Sequence, residues 1–125
     1  SQLKQYNQLL EDNTKAEALL KQGDSLIKRI SSWEENLIQP NQKTFQDVIN
    51  FENKLNAQLL NLRGYIDVAE PNVTMGAKER LRDLLAIWGS FKTEHNAIIN
   101  TEMKAYNTLF QSLEIPAIIL PQAQN

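Results

Sequence analysis

The chain has 125 residues, of which 42% are hydrophobic and 22% are charged, and its formal net charge at pH 7 is −2. This is one domain's worth of chain with enough apolar residues for a core. Lys and Arg never cluster beyond a pair, which excludes the basic surface that nucleic-acid binding requires. The absence of cysteine excludes disulfides, thiolate catalysis and zinc–thiolate sites.

The first predicted helix covers residues 3–37. Its apolar stripe repeats in steps of four and three, which places the members on one face of a helix packed in a bundle. A break at Gly23-Asp24-Ser25 is the alternative, since Asp24 or Ser25 could cap a new helix, but we favour one long helix, kinked there at most. The stripe consists of Leu19, Gly23, Leu26, Ile30, Trp33 and Leu37.

The second predicted helix covers residues 44–69. Pro40 ends the first helix, because a proline disfavours helical geometry in the residue before it. Thr44-Phe45-Gln46-Asp47 then resembles a capping box with Asp in place of the usual Glu. Pro71 ends the second helix. Its predicted inner face consists of Val48, Phe51, Leu55, Leu59, Leu62, Ile66 and Ala69.

The third predicted helix covers residues 75–113, with Thr74 as its N-cap. Its apolar stripe alternates steps of three and four over most of its length. Leu81, Leu84, Trp88, Phe91, His95, Ile98, Glu102, Ala105 and Leu109 form this stripe.

These elements predict an all-α fold: a single domain over residues 1–125, built as an antiparallel up-down-up three-helix bundle. The first and third helices are longer than the second, so two ends remain uncovered: the start of helix one, and the end of helix three beside the turn at Pro40. Pro116 prevents the closing segment from extending helix three. We expect the tail, residues 114–125, to fold back over that end and bury Ile115, Ile118 and Leu120.

His95 and Glu102 are the two polar residues on the third stripe. A metal site would need further ligands one turn away, and Ile98 and Ile99 supply none. We therefore expect a structural or interfacial role for His95, and for Glu102 a basic partner, a snorkelled side chain or a less buried layer. We predict no catalytic, cofactor-binding or metal-binding residue. The alternative is a small ligand-binding or catalytic domain with a cleft near these two residues.

Three stretches carry a resemblance to a known class of proteins: W-E-E-N-L-I-Q-P-N-Q-K-T-F-Q-D-V-I-N-F-E-N-K-L-N-A-Q-L, P-N-V-T-M-G-A-K-E-R-L-R-D-L and A-Y-N-T-L-F-Q-S-L-E-I-P-A-I-I-L-P. In this order they resemble the C-terminal region of bacterial proteins with sortilin-type BNR-repeat β-propellers, often labelled glycosyl hydrolases. The placement of Trp33 and Trp88 is also similar to that of spectrin repeats, as an analogy of architecture only.

The resemblance implies an exported bacterial protein whose propeller lies upstream of this chain. Because the chain begins with Ser and shows no signal peptide, we expect it to be a fragment of a longer protein. No catalytic residue of the propeller proteins maps onto it, so we predict a non-catalytic accessory domain. It would dock on that propeller or another protein, or self-associate through its uncovered ends, without inserting into a membrane. The candidate interface residues are Leu3, Tyr6, Gln46, Asn50, Asn53, Asn56, His95 and Glu102.

Overall fold

The computed structural model describes residues 2–44, 47, 50–69 and 72–115, with only the backbone of residue 69. These residues form helices joined by turns and contain no strand, which confirms the all-α prediction. A 3-10 turn, Thr14–Ala16, precedes the second helix, and a π-helical turn, Ile98–Glu102, follows the fourth. The α-helices are α1 (Gln2–Leu10), α2 (Glu17–Leu37), α3 (Leu55–Ala69), α4 (Met75–Ala97) and α5 (Met103–Ser112).

The chain divides into two compact units. Unit 1 comprises Ser1–Ile30 and Ala97–Asn125, and unit 2 comprises Ser31–Asn96. The single domain predicted for residues 1–125 stays a prediction.

In unit 1 the helix predicted over residues 3–37 is interrupted between α1 and α2. The N–H of Asn13 donates to the carbonyl oxygen of Leu10, and the Asn13 side chain accepts from the N–H of Lys15 at 3.0 Å. An asparagine that caps the next turn in this way offers the backbone an alternative to a continuous helix. The break therefore lies at Asn13 and not at Gly23, which is buried inside α2.

The short helix α1 packs against both α2 and α5. The Asn7 amide donates to the Asp24 carboxylate in α2 at 2.8 Å. The neighbouring ring of Tyr6 meets Phe110 of α5 edge to face, with centroids 5.8 Å apart. Sequence analysis predicts two uncovered ends, at the start of helix one and at the end of helix three. This prediction is wrong for unit 1, because these two ends pack on each other.

The direction of α5 also differs from the predicted arrangement. Because α1 contacts Asp24 and Phe110 at one level, those two residues lie at the same end of unit 1. Further along α2, Arg29 pairs with Glu102, which precedes α5. The α2 and α5 segments of unit 1 thus run in opposite directions. An up-down-up bundle of the three predicted helices requires them to run parallel.

The π-helical turn shifts the buried face of the third predicted helix by one residue. In an uninterrupted α-helix Ala105, seven residues after Ile98, would share its face. Instead Ile98 and Tyr106 are buried and Ala105 is exposed. A π turn accommodates one extra residue, and this one moves burial from position 105 to position 106.

In unit 2 the helix predicted over residues 44–69 starts later, at Leu55. The carboxylate of Asp47 accepts hydrogen bonds from the backbone N–H groups of Lys43 and Thr44, both at 2.8 Å. This is the half of a capping box in which the side chain reaches back. The N–H of Phe51 donates to the carbonyl oxygen of Asp47. These contacts match the predicted capping signal, but α3 itself begins only at Leu55.

The start of α4 agrees with the sequence. The Thr74 hydroxyl oxygen accepts from the N–H of Ala77 at 3.2 Å, which confirms Thr74 as the N-cap. Within α4 Leu84 is fully buried, as predicted. Two other members of the predicted stripe, Leu81 and His95, are exposed. Unit 2 thus places its core on a narrower face of α4 than the sequence indicates.

The last helix ends at Ser112, one residue before the predicted end. Glu114 follows with a φ of 50°, a left-handed conformation that ends many helices. Ile115, predicted to be buried, is half-buried. The predicted burial of Ile118 and Leu120 lies outside the described residues, as does the fold-back of the tail.

Candidate functional site

His95 lies in the last turn of α4, where it borders a group of aromatic rings in unit 2. Its ring centroid is 5.5 Å from that of Trp33, at an interplanar angle of 44°. Trp33 also packs edge to face on Phe91 and donates its indole N–H to the Phe91 carbonyl oxygen at 3.0 Å. Since this bond satisfies the indole of a half-buried tryptophan, Trp33 acts as an anchor between α2 and α4.

Glu102 lies in the π-helical turn of unit 1, where it pairs with a basic residue, one of the three outcomes that sequence analysis leaves open. Its carboxylate is 3.3 Å from the Nε of Arg29. The two side chains are 36% and 47% exposed, so water screens the pair and its contribution to stability is small. His95 and Glu102 belong to different units, and each has its own neighbours there.

The three predicted interface asparagines lie in or near the connection between α2 and α3. Asn50 and Asn56 are exposed, while Asn53 is half-buried and its carbonyl oxygen accepts from the Gln58 amide at 2.7 Å. The predicted interface residue Gln46 lies outside the described residues. At the other predicted surface, Leu3 is half-buried and Tyr6 packs on Phe110. Tyr6 therefore contributes to packing inside unit 1.

An open groove of about 450 Å³ lies beside this connection. Asn56 is the one predicted interface residue, among those described, that lines it. The apolar part of the groove is formed by Ile38, Ala57 and Leu60. Its polar part is formed by Gln39, Gln42, Lys43, Thr44 and Asn56. A shallow groove with mixed lining can bind a flexible polypeptide, but it supplies no convergent set of reactive groups.

Local hydrogen bonding and packing perturb the pKa values of Asp47 and Tyr106. The N–H donors of Thr44 and Lys43 hold the pKa of the Asp47 carboxyl below its usual value. Burial, with a smaller effect from Tyr6, raises the pKa of the Tyr106 phenol. Both groups serve turns or packing, and neither lies on the groove.

Three exposed apolar side chains near the connection from α3 to α4 were not singled out by sequence analysis. Tyr65 and Val68 near the end of α3 are 55% and 90% exposed, and Met75 at the start of α4 is 69% exposed. We call these three residues the hairpin patch, since they flank the connection from α3 to α4. One feature of the sequence could have revealed two of them. Tyr65 and Val68 lie off the predicted inner stripe of α3, whose members are better buried: Leu55, Leu59, Leu62 and Ile66.

Metal and membrane features can be stated for the described residues. Among them, no group of three or more His, Asp or Glu side chains could hold a metal ion. None of the helices described is both long and apolar enough to cross a bilayer. Comparisons with protein-family models, curated proteins and solved structures found no match.

Proposed function

We propose that this chain is a non-catalytic interaction module that docks on a folded domain of its own polypeptide. The hairpin patch carries the proposal. Val68 is almost fully exposed, and Tyr65 and Met75 keep more than half of their surface in water. Contiguous exposed apolar surface is typical of protein–protein contacts, and Tyr65 and Val68, three residues apart, are neighbours on the surface of α3.

The proposed partner is a BNR-repeat β-propeller upstream of this chain, and the proposed location is outside the bacterial cytoplasm. Both rest on the resemblance of residues 33–121 to the C-terminal region of exported propeller proteins. Any glycosyl-hydrolase activity belongs to the propeller in this proposal. Reading the gene upstream of Ser1 tests this part, because a gene without a propeller there contradicts it.

For the fold we propose that the up-down-up arrangement exists on a smaller scale, in unit 1. There α1, the first part of α2, and α5 would be its three successive helices. The contacts Asn7–Asp24, Tyr6–Phe110 and Arg29–Glu102 support alternating directions. The hairpin patch itself lies in unit 2, on the ends of α3 and α4.

Calorimetry of the complete polypeptide tests the docking. Docked domains share a stabilising interface, so we expect the transition that includes this chain to fall in temperature when Val68→Asp and Met75→Asp are introduced together. Each buried carboxylate in a former apolar contact has a high cost. In the isolated 125-residue chain the same pair is expected to have little effect, because both side chains are exposed there.

Gln5→Asp with Gln8→Asp is the matched control, since both glutamines are exposed on α1 and lie outside the hairpin patch. This control should leave the transition temperature of the complete polypeptide unchanged. Equal shifts for the two double variants, or none for either, would count against docking through the patch.

A further inference from the structure

Helix α4 has a flank that combines cations with exposed leucines. At about 100° per residue, its members lie within about 100° of one another around the helix axis. The leucines are 37% and 52% exposed, and the cations are exposed as well. We call this surface the basic flank; it consists of Lys78, Leu81, Arg82, Leu85 and Lys92.

Acidic residues of α4 lie on a different side of the helix. Glu79, Asp83 and Glu94 cluster about 140° away from the centre of the basic flank. Within the part of the chain that the structure describes, no ion pair joins Lys78, Arg82 or Lys92 to a carboxylate. All the charged residues of the basic flank are cations, and the flank also exposes leucines, whereas Arg80 lies among the carboxylates on the other side of the helix.

We propose that the basic flank binds an acidic, leucine-containing segment of the domain on which the chain docks. This inference rests on the proposed role as an interaction module and adds the chemistry of what it binds. Lys78 and Arg82 are one turn apart, and Lys92 lies about 21 Å from Lys78 along the axis. A helical or extended segment could span this distance, with carboxylates at both ends and apolar side chains on Leu81 and Leu85.

The charge pattern of α4 favours an acidic segment over a second copy of the chain, a nucleic acid or a membrane. A symmetric contact with a second copy would place the three cations against themselves, which costs free energy. Nucleic acid is neutralised through many phosphate contacts, and three cations with two leucines between them fit it poorly. An anionic membrane fits poorly, because membrane-binding helices have a polar face rich in Lys and Arg, whereas the other side of α4 carries Glu79, Asp83 and Glu94.

Fluorescence anisotropy of the 125-residue chain with a labelled peptide tests the proposal. The probe is a helical peptide as long as α4 that carries Glu one turn to either side of paired Leu residues. Reversing the cations together, with Lys78→Glu, Arg82→Glu and Lys92→Glu, should weaken binding about tenfold or more, since three attractive pairs become repulsive. A second probe with Ser in place of Leu should bind more weakly than the first.

The control is Lys4→Glu with Lys15→Glu and Lys104→Glu. It changes the net charge by the same amount at three exposed positions of unit 1 and should retain binding. Equal losses in the two triple variants would overturn the proposal, as would equal binding of the two probes. Binding of the chain to phosphatidylserine vesicles or to single-stranded DNA, but not to the peptide, would also overturn it.

These results separate the inference from the proposed function. In one outcome the Val68 and Met75 variants lower the transition temperature of the complete polypeptide, while the α4 triple variant still binds the peptide. This outcome supports docking through the patch and contradicts binding of an acidic segment by the basic flank. If the Val68 and Met75 variants have no effect while the triple variant abolishes peptide binding, the acidic segment belongs to a separate protein and docking through the patch fails.

Discussion

Deleting Asn100 is expected to leave the protein folded, whereas deleting Ala86 is expected to cost several kcal/mol of stability. Both residues are exposed and both lie in the third predicted helix. Asn100 lies within the π-helical turn, which holds one residue more than α-helical geometry needs. Its removal converts the turn to an α-helix, and Ile98 and Tyr106 then share a face without rotation.

Removal of Ala86 cannot be compensated in this way, because α4 is a regular α-helix at that point and holds no extra residue. The residues that follow rotate by about 100° relative to Leu84. Phe91 then leaves Trp33, and the apolar residues that follow it rotate away from their contacts as well; removing one large apolar side chain from a core already costs about 2–5 kcal/mol. Chemical unfolding of the two deletion variants measures the difference. An Asn100 deletion as damaging as the Ala86 deletion would contradict the role assigned to the π turn.

The substitution Gly23→Ala is expected to destabilise the wild-type protein and to stabilise a variant that lacks the Asn7 side chain. In the wild-type chain a Cβ at position 23 would meet the Asn7 side chain, with Asn7 Cγ only 2.9 Å away. The Asn7 amide cannot move aside without losing its bonds to Asp24 and to the Leu20 carbonyl oxygen. Overpacking of this kind costs about 1–3 kcal/mol.

In an Asn7→Ala background the obstacle is absent, so Gly23→Ala should instead stabilise by about 0.5–1 kcal/mol, the usual gain for Ala over Gly inside a helix. Free energies of unfolding for the four proteins of this cycle give the coupling directly. Additive effects would show that α1 does not lie against Gly23. Gly64→Ala serves as a reference, since open space surrounds Gly64 in α3.

The features that sequence analysis predicts correctly depend on local chemistry. The stripe of Leu19, Gly23 and Leu26 is buried, α2 ends at Leu37 just before Pro40, and Thr74 caps α4. Each depends on residues within one or two turns of the chain. Spacing and caps suffice for such features.

The features that it misses depend on contacts between distant segments or on competition between local signals. Asn13 ends α1, although the apolar pattern continues past it. Tyr6 and Phe110 are 104 positions apart, and nothing in the spacing of either helix predicts that they meet. The π turn is equally hidden, since an uninterrupted stripe through Ala105 fits the sequence just as well.

The candidate site shows the same division. The pairing of Glu102 with a basic residue follows from the cost of an unpaired carboxylate near a core, but Arg29 could not be named without the fold. Tyr65, Val68 and Met75 are apolar residues that the predicted core does not need. Whether such residues are covered by another element depends on the packing of the whole unit, which helical periodicity does not encode.

The rate of oxidation of Met75 in the complete, propeller-containing polypeptide proposed above tests docking through the hairpin patch most directly. The chain contains two methionines, and Met103 is half-buried and lies outside the patch. With dilute peroxide, docking predicts that Met75 reacts several-fold more slowly in the complete polypeptide than in the isolated chain, while Met103 reacts at one rate in both. Equal rates for Met75 in the two proteins would contradict docking through this surface.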